Sequence, residues 1–195
     1  MRLFVALSLP DAIREDLSVL ANGLPGARWV SPENMHLTLR FLGEVDGRDA
    51  RDIDDALAAI RMPAFDLRIA GVGTFGEGRK LRALWAGVEA NPVLTRLHDK
   101  VEQAVIRTGL PPEPRKFKPH VTLARFKANG ATPPGAKLHK YLADHALFKC
   151  APFPVECFTL YSSFLSSSGA IYTPEAEYPL DISERVAGVG ASLES

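Results

Sequence analysis

The sequence of 195 residues predicts a fold of the α+β or α/β class, because short strands rich in β-branched and aromatic residues alternate with amphipathic helices. Two pairs of neighbouring strands, within residues 65–89 and 155–178, are each joined by a connection rich in Gly or Ser, which predicts antiparallel hairpins. Hydrophobic residues make up 46% of the chain and charged residues 24%, a balance typical of a globular protein with a sizeable core.

Local signals bound these elements in chain order. Pro10 opens the first helix and Pro63 closes the second, because proline suits the first position of a helix and cannot continue one. Asn91 begins the third helix, and Gly109 ends it. The predicted helices follow Pro10, cover 49–61, follow Asn91 and cover 137–147. The predicted strands are 2–9, 35–43, 65–72, 81–89, 120–127, 155–164 and 170–178.

Charge and cysteine content exclude several classes of protein. The 23 Lys and Arg residues balance 23 Asp and Glu residues, which argues against coating of nucleic acid by bulk charge but leaves room for a local basic patch. The apolar N-terminus stops at Pro10, short of the roughly 20 residues of a membrane span, so we expect no signal peptide and no anchor. The spacing of Cys150 and Cys157 fits neither a zinc site nor a redox motif. We therefore expect reduced thiols and a cytoplasmic location.

One tetrapeptide pattern, His-apolar-Thr-apolar, occurs twice, at His36–Leu39 and His120–Leu123. Successive side chains of a strand alternate between its two faces, so each copy delivers an imidazole and a hydroxyl to one surface. A proline precedes each copy, Pro32 and Pro119, and keeps the approach extended. Two such strands facing each other would gather two His and two Thr side chains around one cleft.

This set of side chains suits the opening of a phosphodiester. The reaction needs a base, an acid and hydrogen-bond donors for the charged oxygens, and two imidazoles with an ordinary pKa near ~6.5 can serve as base and acid together. A basic cluster with interleaved aromatic residues flanks the second copy and favours a phosphate with bases attached. Its members are Arg115, Lys116, Phe117, Lys118, Arg125, Phe126 and Lys127.

Simpler explanations compete with each of these features. A single copy of the pattern is more often a hydrogen-bonded structural histidine, and a basic cluster beside a strand usually solvates an edge; the duplication is what favours a site. Residues 71–76 fit a dinucleotide fingerprint, yet a strand follows instead of a helix, so we interpret them as a hairpin connection. No metal-binding motif and no nucleophile elbow is present, and we expect no metal. Trp29 and Trp85 are interpreted as core anchors.

With both motifs in place, the chain resembles the two-histidine (2H) phosphoesterase superfamily, specifically its RNA 2',3'-cyclic phosphodiesterase branch, also called 2'-5' RNA ligase-like. Matching blocks occur in family order at 2–7, 29–45, 84–88 and 118–125, and the resemblance covers residues 1–180. It implies a bilobal α+β fold with pseudo-twofold symmetry, two antiparallel sheets facing a central cleft and helices on the outside. Residues 1–183 would form this single domain, and 184–195 a flexible tail.

The resemblance also implies hydrolysis of a terminal 2',3'-cyclic phosphate to a 2'-phosphomonoester, without metal or other cofactor. By the family pattern His36 would be the proton donor and His120 the proton acceptor, although nothing in this sequence distinguishes the two imidazoles. Thr38 and Thr122 would hold the phosphate. Arg125 is a further candidate phosphate ligand, but strict alternation points it away from His120, so that either the strand is bulged or Arg125 is structural.

Several alternatives stay open on the sequence alone. The substrate is RNA with a 2',3'-cyclic phosphate end, tRNA fragments among them, or a small cyclic nucleotide. The same site run backwards would join such an end to a 5'-hydroxyl. A non-catalytic protein that binds RNA ends or nucleotides would need the Thr and basic residues, but not both imidazoles. We expect a monomer.

Overall fold

The computed structural model describes residues 1–128, 130–166 and 169–186. Within these ranges the helices are α1 Asp11–Ser18, α2 Gly47–Ala58, α3 Pro92–Arg107 and α4 Gly135–Asp144. The strands are β1 Arg2–Ser8, β2 Arg28–Trp29, β3 His36–Glu44, β4 Pro63–Leu67, β5 Ile69–Phe75, β6 Ala83–Val88, β7 His120–Arg125, β8 Phe153–Val155, β9 Cys157–Ser166, β10 Gly169–Pro179 and β11 Asp181–Val186. No helix in these ranges is both long and apolar enough to cross a membrane; the cytoplasmic location stays a prediction.

The larger sheet has eight strands and is antiparallel throughout. Its order is β10-β9-β1-β3-β7-β6-β5, with the short β2 paired to β7. The strands on either side of the β3–β7 junction form two halves, and the two halves meet through the pair Leu37 and Val121. The α+β class is therefore confirmed, and the β5–β6 and β9–β10 hairpins are antiparallel as predicted.

The distribution of strands differs from the expectation of two facing antiparallel sheets. Both motif strands, β3 and β7, belong to the one large sheet. The second sheet has three strands, in the order β11-β4-β8, and its β4–β11 pair is parallel. The predicted strand 65–72 is divided at Arg68 between the two sheets, because β4 pairs with β8 and β11 whereas β5 pairs with β6.

The last described strand crosses the predicted boundary at the chain's end, while the division into one domain and a flexible tail stays a prediction. Strand β11 continues through Val186, three residues beyond the predicted domain boundary at 183. Its pairing with β4 begins at Asp181, which lies next to Pro63. The rest of the predicted flexible tail, 187–195, lies outside the described residues.

The helices are fixed by caps and by burial of one face. Asp46 accepts hydrogen bonds from the backbone N–H groups of Arg48 and Asp49 at the start of α2, and Asn91 caps α3 in the same way. The core face of α3 is wholly buried and packs against α2 and the back of β3. The buried side chains of α3 are Leu94, Leu97, Val101, Ala104 and Val105.

Candidate active site

The two motif strands lie side by side at the centre of the large sheet. Leu37 of β3 faces Val121 of β7 in the antiparallel register, and both side chains are fully buried in the core. Their neighbours along each strand therefore project from the opposite face of the sheet. One residue away in this register, His36 is placed beside Thr122, and Thr38 beside His120. The structure thus brings together the four side chains that the duplicated pattern predicted.

A β-bulge lies at the last residue of the motif in β3. The pairing of β3 with β1 runs from Ala6–Thr38 directly to Val5–Arg40, so that Leu39 is the extra residue. The register then continues to Phe4, which pairs with Phe41. Because Phe4 and Ala6 share one face of β1, Phe41 returns to the same face as Thr38.

An equivalent β-bulge occurs in β7. Its pairing with β6 runs from Trp85–Thr122 directly to Leu84–Ala124, which makes Leu123 the extra residue, and Arg125 then pairs with Ala83. Arg125 consequently lies on the face of His120 and Thr122. Of the two alternatives for Arg125, the bulged strand is the one observed, while its role as a phosphate ligand stays a prediction.

Both imidazoles are oriented by a backbone carbonyl two residues earlier in the chain. The Nδ1 atom of His36 lies 2.7 Å from the carbonyl oxygen of Asn34, and Nδ1 of His120 lies 2.6 Å from that of Lys118. A carbonyl oxygen can only accept, so Nδ1 carries the proton in each neutral ring. The Nε2 atom of each ring is left as a base when the ring is neutral and as an acid when it is protonated.

The pKa of both imidazoles lies below the ordinary value in the unliganded protein. Burial lowers the pKa of His36 to about 4, with smaller contributions from the charges of Arg125 and His120. Burial also lowers the pKa of His120, less strongly, and the cations of Lys118 and Arg125 act in the same direction. An anion in the cleft would offset these positive charges and favour protonated imidazole.

Aromatic rings surround His36. The ring of Phe4 lies 4.9 Å from the His36 ring between centroids, and the ring of Tyr172 meets it edge-on at 5.1 Å. The ring of Tyr161 stacks on Phe4 at 5.2 Å and lies 6.4 Å from the His36 ring. The half of the site around His36 is therefore apolar and tightly packed, which explains the large effect of burial on this imidazole.

The half around His120 combines aromatic rings with cations. Phe75 meets the His120 ring edge-on at 4.8 Å, and the Nζ atom of Lys118 lies 4.3 Å from the centre of the Trp85 ring. A Cβ atom at Gly73 would lie 2.3 Å from the Trp85 indole, so glycine is needed there for the ring to lie against β5. The interpretation of Trp85 as a core anchor alone was thus incomplete, because this ring borders the site.

A signal for this aromatic and cationic group was present in the sequence. Gly73, one of the glycines of 71–76 that were interpreted only as part of a hairpin connection, makes room for the large ring of Trp85 on the neighbouring strand. The predicted basic cluster is divided in the structure. Arg115 pairs with Glu113 at 2.8 Å, whereas Lys118 and Arg125 act on His120.

Three side chains of the predicted site carry no partner that would compete with a ligand. Within the described ranges, the Thr38 and Thr122 hydroxyls and the Arg125 guanidinium make no hydrogen bond or ion pair with another residue. The same ranges hold no group of three or more His, Cys, Asp or Glu side chains arranged to bind a metal ion. The arrangement provides two imidazole nitrogens, two hydroxyl donors and a cation on one surface, the elements needed to stabilise and cleave a phosphate ester.

The fold and the side chains on this surface are those of a phosphoesterase, and comparison with known proteins gives the same class. The model of the LigT like phosphoesterase family matches residues 7–85 and 87–172. The chain belongs to this family, which the sequence resemblance had indicated.

Named relatives cover most of the chain. The RNA 2',3'-cyclic phosphodiesterase of Aeropyrum pernix is 35% identical over 170 residues, which is 87% of this chain and 94% of that protein. The protein of the same name from Archaeoglobus fulgidus is 33% identical over 88% of this chain and 96% of its own length. The crystal structure of E. coli LigT complexed with 3'-AMP has a TM-score of 0.72 and 31% identity, covering 92% of this chain and 97% of that one.

Proposed function

We propose that this protein is a metal-independent RNA 2',3'-cyclic phosphodiesterase that forms a 2'-phosphomonoester. The observation that carries the proposal is the pair of bulged motif strands, which present the Nε2 atoms of His36 and His120 beside two unpartnered hydroxyls and Arg125. The names of the Aeropyrum and Archaeoglobus relatives support the choice of substrate. Each chain contains both motifs, so a monomer holds the complete proposed site.

The proposed reaction divides the two proton transfers between the imidazoles. Neutral His120 accepts a proton from water through Nε2 as the water oxygen forms a bond to phosphorus. Protonated His36 donates the proton on Nε2 to the 3' oxygen as the bond between that oxygen and phosphorus breaks. The phosphate remains on the 2' oxygen, and the two imidazoles end with their protonation states exchanged.

Burial lowers the pKa of His36 to about 4 and also lowers the pKa of His120, so both imidazoles are readily neutral in the free protein. Once protonated, His36 is a strong acid, which suits protonation of the leaving oxygen. The bound phosphodiester carries a negative charge that favours a protonated imidazole beside it. Thr38 and Thr122 donate hydrogen bonds to the non-bridging oxygens, and the Arg125 cation offsets their charge.

The test is incubation of a short RNA ending in a 2',3'-cyclic phosphate with the protein in the presence of a chelator. We expect a 2'-phosphate product, and losses of turnover of about 10²- to 10⁴-fold in each of His36→Ala and His120→Ala. Circular dichroism verifies that both variants are folded. A 3'-phosphate product, or activity that returns only when a divalent ion is added, would contradict the proposal; binding without turnover would indicate a non-catalytic binder of RNA ends.

Two extensions of the proposal follow from the same site. Acid and base exchange roles in the reverse reaction, so the site can join a 2',3'-cyclic end to a 5'-hydroxyl, although hydrolysis is favoured in water. Small cyclic nucleotides are a second candidate substrate, favoured by the complex of E. coli LigT with the mononucleotide 3'-AMP. Comparison of an RNA fragment, such as one derived from tRNA, with adenosine 2',3'-cyclic phosphate would rank the two substrates by kcat/KM.

A further inference from the structure

A buried ionic cluster links the first motif strand to the segment that leads into the second. Arg40, in β3, is only 6% exposed. Its Nε atom lies 2.7 Å from an oxygen of Glu102 in α3, as an ion pair without the alignment of a hydrogen bond. Its Nη1 atom donates to Glu113 at 3.3 Å, and Nη2 donates to the carbonyl oxygen of Pro111. We call Arg40, Glu102 and Glu113 the Arg40 cluster.

The Arg40 cluster holds a segment that has no helix or strand of its own. Residues 108–119 connect α3 to β7 and lie outside the helices and strands of the structure, so their path depends on contacts with neighbouring elements. Besides its bonds to Arg40, the segment is attached to α3 by the backbone N–H of Glu113, which donates to Glu102 at 2.8 Å. The ring of Phe117 also stacks on His98 of α3, with centroids 3.9 Å apart.

The segment ends at the groups that surround His120. The carbonyl of Lys118 fixes the Nδ1 atom of His120, and the ammonium group of the same residue lies over Trp85. A displacement of this segment would therefore move both the carbonyl and the cation relative to the imidazole. The path from Arg40 through Glu113 to Lys118 connects the strand of one histidine to the orientation of the other.

The other histidine is supported in a different way. His36 follows a short 3₁₀ turn at Pro32–Asn34, and the side chain of Asn34 donates to the carbonyl oxygen of Ala170 in β10 at 3.0 Å. The position in β7 that corresponds to Arg40, four residues after the histidine, is Ala124. Of the two segments that lead to the histidines, only the one before His120 is therefore held by an arginine of the other motif strand.

We propose that the Arg40 cluster positions His120, and does not merely stabilise the fold. Arg40 and Glu113 act as positioning residues, since they contact the approach segment and not the reacting atoms. The inference rests on the proposed function, because it assigns a role in placing one member of the proposed acid-base pair. A buried ion pair is by itself weak evidence for stability, and the location of this one, at the entry to β7, is what favours the positioning role.

The informative variant is Glu113→Ala, since Arg40 keeps its partner Glu102. The segment loses its side-chain ion pair with Arg40 and keeps only the bond from Arg40 to the Pro111 carbonyl. We expect kcat to fall by about 10- to 100-fold with little change in KM, as expected for a misplaced catalytic group. The matched control is Arg115→Ala, which removes the exposed partner of Glu113 and leaves the link to Arg40 intact; its kcat should equal that of the wild type. Glu113→Gln should recover part of the lost rate, because its amide oxygen can still accept from Arg40.

The second readout is independent of activity. The ring ¹⁵N chemical shifts of the two imidazoles should change for His120 and stay constant for His36 in Glu113→Ala. The charged groups that act on the pKa of His120 are Lys118 and Arg125, and both are unaltered in the variant.

Three results would overturn the positioning role. They are an unchanged kcat together with an unchanged His120 spectrum, equal changes at both histidines, or the same loss of rate in Arg115→Ala. If Glu113→Ala does not fold, Glu113→Gln takes its place, with an intermediate loss of kcat and a change at His120 alone expected. Failure of the proposed function is seen separately, as absence of turnover in the wild type.

Discussion

The half of the site around His36 and the half around His120 share a backbone but differ in their chemistry. In both strands a leucine three residues after the histidine forms the bulge, Leu39 in β3 and Leu123 in β7. Two residues after each bulge leucine, a side chain returns to the face of the histidines. It is Phe41 in β3 and Arg125 in β7. The shared backbone thus places the two imidazoles alike, while their different surroundings lower the two pKa values to different extents. The cations Lys118 and Arg125 belong to the half around His120, and the charge of Arg125 acts on both imidazoles.

The largest expected consequence of this comparison concerns acid stability. The pKa of His36 is about 4 in the folded protein and near the ordinary 6.5 when unfolded, so the unfolded chain binds more protons between these values. The free energy of unfolding should therefore decrease as pH falls from 6.5 to 4, by about 3 kcal/mol from this residue. Urea unfolding of the wild type and of His36→Gln over this pH range measures the difference.

His120→Gln is the matched control for that measurement. The pKa of His120 is lowered as well, but less strongly, so removal of this imidazole should flatten the pH dependence to a smaller extent. An equal reduction of the pH dependence of unfolding in the two variants, or no reduction in His36→Gln, would show that burial does not affect His36 more strongly than His120.

A smaller effect, on kcat/KM, is expected from substitution of Arg125 and Phe41, the two residues that the bulges return to the face of the histidines. Arg125→Gln should lower kcat/KM for the cyclic phosphate substrate by about 10- to 100-fold, because a hydrogen bond between charged groups contributes about 1.5–3 kcal/mol. Phe41→Gln, at the corresponding position, should have a smaller effect, since no charge is lost. Steady-state kinetics of both variants measures the two losses, and equal losses would show that the Arg125 charge is not used to bind phosphate.

The sequence was sufficient to predict the four motif side chains and their shared face, because alternation along a strand depends only on residue spacing. It was not sufficient for Arg125. A bulge leaves two consecutive residues buried, Leu123 and Ala124 in β7, and such a pair also occurs in unbulged strands that are covered on both faces. In β3 the corresponding buried pair is Leu39 and Arg40. Because Arg40 is charged, the sequence does not show this pair as two apolar residues.

Other features depended on contacts between distant parts of the chain. The apolar residues Leu67 and Ile69 are both buried on either side of Arg68, so nothing local marks the point where the chain leaves one sheet for the other. The place of Trp85 beside His120 depends on Gly73 of the neighbouring strand, a pairing that hydrophobic patterns do not encode. Burial of Arg40 likewise requires two carboxylates from α3 and from the segment after it.

In the proposed reaction one imidazole acts as an acid while the other acts as a base. The most direct test is the pH dependence of kcat/KM for a short RNA with a 2',3'-cyclic phosphate end, under conditions where the chemical step limits the rate. Both pKa values of the free protein lie below 6.5, so we expect a bell-shaped profile with its maximum below that pH. A profile that rises or falls monotonically through the range of imidazole titration would contradict it.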